Sequence, residues 1–438
     1  MSTGLYSGVS GLALGVGLYK GVPGLWGGAS GLITGDGASL SLNFLTSNTL
    51  DPRVTFTRST TATFVGSNGL IQTAAINAPR FDYNPVTLAP NGLLIEEQRV
   101  NLLLYSDQFQ QATWSKGSGS ITANTILSPD GTTNADAFIE NTVASQFHFV
   151  AQSIAKAASN IQYAASFYVK NKGRQVGISF NSGSAGVAGR VDPATGTITA
   201  ALGVFGTGWT AGTLTITNAG NGWYRVVVTA TSDTLTTAQL QLSLINGANN
   251  VYTGDGVSGA FFWGAQLEAG AFVTSYIPTV ASTVTRTADV ALMTGTNFSS
   301  WYNASEGTLV TSALPIVSSV SKYSWSFNDG TGTELIAQYF LNVNAGGFVV
   351  DNGSAQVQIE AGTFSGVCKT AFAYKINDFA LSLNGGTVAT DTVGTIPTTT
   401  QAQIGNRPDG SRTMNGHIRT LTYYPSRLTN AQLQALTA

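Results

Sequence analysis

Gly222–Thr231 reads GWYRVVVTAT and Gln239–Leu244 reads QLQLSL. In the first run Tyr224, Val226, Val228 and Ala230 fall on one side of an extended chain, and Arg225, Val227 and Thr229 on the other. The second run alternates without a fault. Strict period two is the signature of a strand with one buried and one wet face, and it excludes a helix over the same residues. Ala165, Phe167 and Val169 repeat the pattern in Ile161–Lys170. Gly307–Ser312, Tyr323–Phe327, Phe348–Val350 and Phe379–Leu383 supply further strand-like runs, and Asn384-Gly385-Gly386 is a tight-turn signal that predicts a hairpin with Thr387–Ala389. Short strands punctuated by glycine and asparagine predict an all-β chain built of sandwiches. One helix is expected, at the C-terminus. There Thr429 and Gln432 fit a capping box, and Leu428 and Leu433 fit a hydrophobic staple.

Four regions are expected: a glycine-rich segment at 1–40, a short β connecting module at 41–100, and two β-sandwich domains in tandem at 101–290 and 291–438. The connecting module carries strand-like runs at Val54–Arg58 and Gly92–Ile95, with turn signals at Ser67-Asn68-Gly69 and Pro90-Asn91-Gly92. The segment 1–40 contains a near-duplication, GLYSGVSGL at 4–12 and GLYKGVPGL at 17–25, identical at seven of nine positions. It lacks the basic start and continuous apolar run of a secretory signal, and its glycines and Lys20 make it a poor membrane span.

Only 10% of residues are charged, against about a quarter in ordinary domains. Ser, Thr, Asn, Gln and Gly must therefore cover the surface. The formal net charge of −2 leaves no broad basic field for nucleic acid or an anionic membrane. The single cysteine, Cys368, rules out an internal disulfide and reads as a buried small apolar residue.

Catalytic chemistry is thin. His148 and His417 stand in no metal-ligand spacing and read as structural. No nucleophile elbow or phosphate loop is present in a suitable context. Glu96 and Glu97, as neighbours on a strand, point to opposite faces and cannot flank one substrate; one of them is expected to pair with Arg99. Asp329–Glu334 (DGTGTE) reads as a turn in preference to a Ca²⁺ loop. No catalytic residue, metal site or cofactor is expected. Binding chemistry fares better, because sugars are held by aromatic faces and by amide, carboxylate and guanidinium hydrogen bonds. Trp209, Tyr252, Trp301 and Tyr302, set among Gly, Asn and Ser, are the candidate platforms, and Arg407, Asp409 and Arg412 are candidate polar contacts.

Phe56-Thr57-Arg58-Ser59-Thr60-Thr61-Ala62-Thr63-Phe64, Ala78-Pro79-Arg80-Phe81-Asp82-Tyr83, Gly92-Leu93-Leu94-Ile95-Glu96-Glu97-Gln98-Arg99 and Asn101-Leu102-Leu103-Leu104-Tyr105-Ser106 together resemble a module of tailed-bacteriophage head-spike and tail-fibre proteins. Trp223-Tyr224-Arg225-Val226, Phe262–Glu268 and Thr274–Thr279 resemble the carbohydrate-binding-module-like jelly roll that usually follows. Gly307–Val310, Ile404–Asn406 and Gly416–Ile418 are similar to a concanavalin A-like or laminin G domain. The resemblance implies a non-enzymatic virion surface protein that binds host polysaccharide, as a homotrimer. A virion component without glycan binding and a glycan hydrolase are the alternatives. On that reading residues 1–40 become the end that docks on head, tail or baseplate proteins, with Leu5, Tyr6, Leu18, Tyr19, Leu25 and Trp26 as anchoring side chains.

Overall fold

Alternation decides the sheets. In strand Trp223–Thr231 the side chains of Val226, Val228 and Ala230 are buried, and in Thr237–Ile245 the leucines 240, 242 and 244 are buried while Gln239 and Gln241 face out. The computed structural model describes residues 37–438. The 1–40 repeat, with Leu5, Tyr6, Leu18, Tyr19, Leu25 and Trp26, lies outside them except for its last four residues. The chain is all-β, made of antiparallel sheets stacked in pairs.

One sandwich takes the middle of the chain. Its first sheet runs, edge to edge, Thr210–Asn218, Trp223–Thr231, Gln162–Lys172, Gly259–Ala269, Ala135–Glu140 and Gly119–Ile126. Its second runs Thr197–Phe205, Gly186–Asp192, Gln175–Asn181, Thr237–Ile245, Phe149–Ala155 and Ser115–Gly117. Phe109, Phe138, Phe167, Phe180, Phe262 and the three leucines fill the space between them.

The other sandwich draws on both ends of the described chain. Strands Glu306–Leu314, Cys368–Lys375, Phe379–Leu383 and Gly416–Tyr424 form one sheet with Leu40–Asn43, Phe81–Tyr83 and Pro90–Ile95. Val290–Thr294, Gln401–Ile404 and Lys322–Asn328 continue into the opposing sheet, which Thr55–Thr57 edges. Phe44, Phe56, Phe81 and Ile95 share its core with Trp325, Phe327, Phe372 and Tyr423. Four strands of the region expected as a separate connecting module, Leu40–Asn43, Thr55–Thr57, Phe81–Tyr83 and Pro90–Ile95, are thus part of the C-terminal sandwich, while Ala62–Val65 and Ile71–Ala74 pair only with each other; the middle sandwich is inserted between Pro90–Ile95 and Val290–Thr294. Partners more than 300 residues apart, such as Leu42 opposite Leu421, leave no local trace in sequence.

Local signals are realised where they were strongest. Asn384 and Gly385 adopt φ of 48° and 71°, the left-handed pair that a two-residue hairpin turn requires, and Leu381 pairs with Ala389 beyond it. Helix Asn430–Thr437 starts on the Thr429–Gln432 capping box. Leu433 and Leu428 pack it on Ala371, Ala373 and Ala380, on the outer face of its sheet.

The chain leaves and re-enters the C-terminal sandwich side by side, Arg99–Asn101 pairing with Val284–Arg286. A buried ionic network closes this crossing. Arg80 donates to Glu96 at 2.6 Å and to Asp289 at 2.5 Å; Arg286 also donates to Glu96, and Arg58 to Asp289 at 3.1 Å. All three guanidiniums are at most 1% exposed. Ser275 adds its N–H and its hydroxyl to Glu96, both at 2.7 Å. Backbone carbonyls of Thr60, Thr63, Ala75 and Ala78 take further N–H groups of Arg58 and Arg80. Glu97 faces the other way and pairs with Arg99 at 2.6 Å and Lys322 at 3.2 Å, while exchanging two hydrogen bonds with Asn415. The Glu97–Arg99 pair is the one expected from sequence.

Burial disfavours the Glu96 carboxylate, but Arg286, Arg80 and Ser275 outweigh it and hold the group at about 2. Its folded value lies below its ordinary 4.5, so its stabilising contribution is complete above that value and is lost as pH falls from 4.5 through 2. Replacing Arg80 by Met removes one of the two guanidiniums from each of two buried carboxylates, leaving Glu96 to Arg286 and Asp289 to Arg58, and is expected to destabilise the protein by about 3 kcal/mol. Chemical denaturation measures the loss. The Glu96→Gln variant is expected to unfold with a flatter pH dependence than wild type between pH 4.5 and 2.

Candidate functional site

Of the aromatic side chains singled out as sugar platforms, Trp209, Tyr252 and Trp301 are buried and Tyr302 packs, partly buried, against the core. Trp209 is 6% exposed, sits edge-on to Phe180 at 5.0 Å and donates its indole N–H to Asp233 at 3.0 Å. Tyr252 is 8% exposed, and its hydroxyl donates to the buried Glu140 at 2.6 Å. Trp301 is 4% exposed between Phe298 and Tyr423. Tyr302 stacks on Phe298 at 4.4 Å and accepts the Thr399 hydroxyl at 2.9 Å. A sugar needs an open ring face, and the buried rings of Trp209, Tyr252 and Trp301 offer none; Tyr302 is partly buried. Polar loop sequence around an aromatic residue does not reveal that the loop folds its ring inward.

The loop carrying Arg407, Asp409 and Arg412 is closed on itself. Asp409 accepts the Ser411 N–H at 2.9 Å and its hydroxyl at 2.6 Å, and lies 3.8 Å from Arg407. Arg412 donates to Ser321 at 3.1 Å, and its carbonyl accepts the Tyr323 N–H. These three residues lie in the C-terminal sandwich with Trp301 and Tyr302, whereas Trp209 and Tyr252 belong to the middle one.

Remaining titratable groups have structural partners. His148 is buried with Nδ1 2.6 Å from the Ser118 carbonyl, and His417 pairs with Asp82 at 2.8 Å. Asp329 caps its own turn through Thr331, and Glu334 accepts the Asn352 N–H. Burial pushes the Cys368 thiol up to about 12, which leaves it protonated and unreactive at neutral pH. Among the described residues no group of three or more His, Cys, Asp or Glu stands together as a metal site would need.

The outer face of the middle sandwich's second sheet has room for a ligand in an open trough of about 380 Å³, and a smaller one of about 190 Å³ lies on the C-terminal sandwich between Val310, Lys369, Tyr424 and Leu436. Cross-strand register explains the floor of the larger trough. Ser153, Gln239, Asn181, Gly186 and Phe205 stand in one rung across five strands; Ala151, Gln241, Ser179, Ala188 and Gly203 form the next; Phe149, Ser243, Gly177, Arg190 and Ala200 form the third. Small residues flank Gln241 on its rung; Gln239 donates to Ser153 at 3.1 Å, and the buried Asn181 donates to Ser179 at 2.8 Å and accepts the Gly183 N–H at 2.9 Å. A Cβ on Gly177 would come within 2.5 Å of Ser243 Oγ, so that close approach requires glycine. Phe147 and Phe205 stand among the lining residues, Phe147 stacked on Phe149 at 5.4 Å. Arg190 is held by the carbonyls of Gly247 at 3.0 Å and Ala248 at 3.2 Å. The lining holds two Gln, two Asn, two Ser and one Arg, and no Asp, Glu, His or Cys. This surface was missed from sequence, although the signal was present: it is the polar half of the QLQLSL alternation.

No family model matches the chain, and no curated protein matches it. Solved structures with partial similarity include the Ruminococcus gnavus IT-sialidase CBM40 bound to alpha2,3 sialyllactose, at 18% identity over 32% of this chain and 87% of that one, with a TM-score of 0.29. The leech intramolecular trans-sialidase is 14% identical over 31% of this chain and 23% of its own, at a TM-score of 0.27. The receptor binding domain of botulinum neurotoxin mosaic serotype C/D is 10% identical over 34% of this chain and 39% of its own, at 0.25.

Trp209→Ala is expected to lower stability by about 3–5 kcal/mol, the loss for a large core aromatic. A thermal melt that left the midpoint unchanged would contradict its placement in the core.

Proposed function

We propose that this chain is a glycan-binding protein without catalytic activity, and that it uses the outer trough of the middle sandwich to hold a polysaccharide. The observation that carries this is the trough's composition: amides and hydroxyls raised on a rigid sheet face, with no carboxylate in the lining. Side-chain amides both donate and accept, which matches sugar hydroxyls. Glycoside cleavage needs two carboxyl groups flanking the scissile bond, and the lining offers none. A glycan array, followed by calorimetry on the best binder, tests the reading. Gln241→Ala is expected to weaken binding roughly fivefold, since a neutral hydrogen bond is worth about 1 kcal/mol, without shifting the melting temperature. Absence of any glycan binding by the wild-type protein would leave a purely structural role.

The resemblance of residues 56–106 to head-spike and tail-fibre modules supports placing this activity on a phage particle, as a trimer, with host surface polysaccharide as the ligand. Residues 1–40 then dock on other virion proteins of head or tail. Deleting residues 2–35 is expected to leave both sandwiches folded, by circular dichroism, and to abolish incorporation into particles, by immunoblot of purified virions.

A further inference from the structure

The trough carries a single charge. Arg190 projects from strand Gly186–Asp192 on the same face as Ser179 and Gln241. Its terminal nitrogens rest on two neutral carbonyls, of Gly247 and Ala248, which fix the guanidinium in place and leave its charge uncompensated. Among the described residues no carboxylate stands within ion-pair distance of it. Asp192, the next carboxylate along the strand, is occupied in its own turn, where it accepts the Ala194 N–H at 2.8 Å. A pre-positioned, unpaired guanidinium at a polar concave surface is an anion site in waiting.

The rest of the lining argues for the same class of ligand. Trp and Tyr faces offer a sugar ring apolar contact area together with a polar handle. The trough has neither; its aromatic groups are Phe147 and Phe205. Hydrogen bonds from Gln239 and Gln241 to sugar hydroxyls replace bonds to water and add roughly fivefold in affinity each. Hydrogen bonds in which one partner is ionised are about twice as strong. Of the contacts available, the one able to decide affinity is Arg190 with an anionic group, and the amides around it then set the orientation of the sugar ring.

Resting on the glycan-binding reading above, we propose that the trough selects carboxylate-bearing polysaccharides, those containing uronic or sialic acids, with Arg190 binding the sugar carboxylate and the glutamine and asparagine amides binding the flanking hydroxyls. The test is an array of bacterial polysaccharides that includes carboxylated and neutral members, each carboxylated one also present after chemical reduction of its carboxyl groups to alcohols. The intact protein is expected to bind carboxylated members and to lose them roughly ten- to hundredfold on carboxyl reduction and in Arg190→Gln. Arg190→Lys, which keeps the charge and loses the planar fork, is expected to fall between. Binding is also expected to weaken as salt rises. Because Arg190 also holds the 247–248 loop, the reduced glycans carry the test with the protein unaltered. Binding to neutral members only, or binding indifferent to carboxyl reduction, overturns this proposal and leaves glycan binding standing. Binding to no member overturns both.

Discussion

Arg80 holds the molecule's plan together. Its guanidinium touches Glu96, at the point where the chain departs for the middle sandwich, and Asp289, at the point where it returns. Arg58 and Arg286 flank the same two carboxylates. Taking five charges out of water costs several kcal/mol for each, so the network is not a simple source of stability. Its effect is selective. A crossing shifted by one residue would leave a guanidinium or a carboxylate buried without its partner, and that penalty excludes the shifted fold. Arg58, Arg80, Glu96 and Ser275 stand far apart along the chain and meet at one point in space.

From that fixed crossing, each sandwich forms by ordinary burial. Strand Thr237–Ile245 shows how a binding surface follows. Leu240, Leu242 and Leu244 are locked in a close-packed core, and they hold Gln239, Gln241 and Ser243 on the opposite face at fixed spacing. The neighbouring strands add Asn181, Ser179 and Arg190 in register. A sheet face of this kind is a preorganised array of amides, and little ordering is needed when an extended ligand lies along it.

Elements governed by neighbours in sequence were legible before the fold was known. The alternating strands, the Asn384-Gly385 turn, the Thr429 capping box and the Glu97–Arg99 pair all depend on residues within a few positions of one another. Trp209, Tyr252, Trp301 and Tyr302 were not legible in this way. Glycine and polar residues around an aromatic ring mark a loop, and whether that loop turns its ring toward a core depends on what waits there: Phe180 for Trp209, Glu140 for Tyr252, Phe298 for Trp301 and Tyr302. The trough was half legible. QLQLSL names its glutamines, but the concavity arises from Gly177, Gly186 and Ala188 on strands paired across the sheet.

The sequence alone determined that this chain is all-β, where many of its strands lie, and that its surface is polar and nearly uncharged, because period-two patterning and composition are local or additive properties. Tertiary structure alone decided that Leu40–Asn43, Phe81–Tyr83 and Pro90–Ile95 complete a sheet with residues beyond 300, that Trp209, Tyr252 and Trp301 are interior, and that an arginine without a carboxylate partner faces a polar trough. Each of these depends on pairing and packing between segments far apart in the chain, and such pairing is set by the balance of burial and charge compensation over the whole molecule.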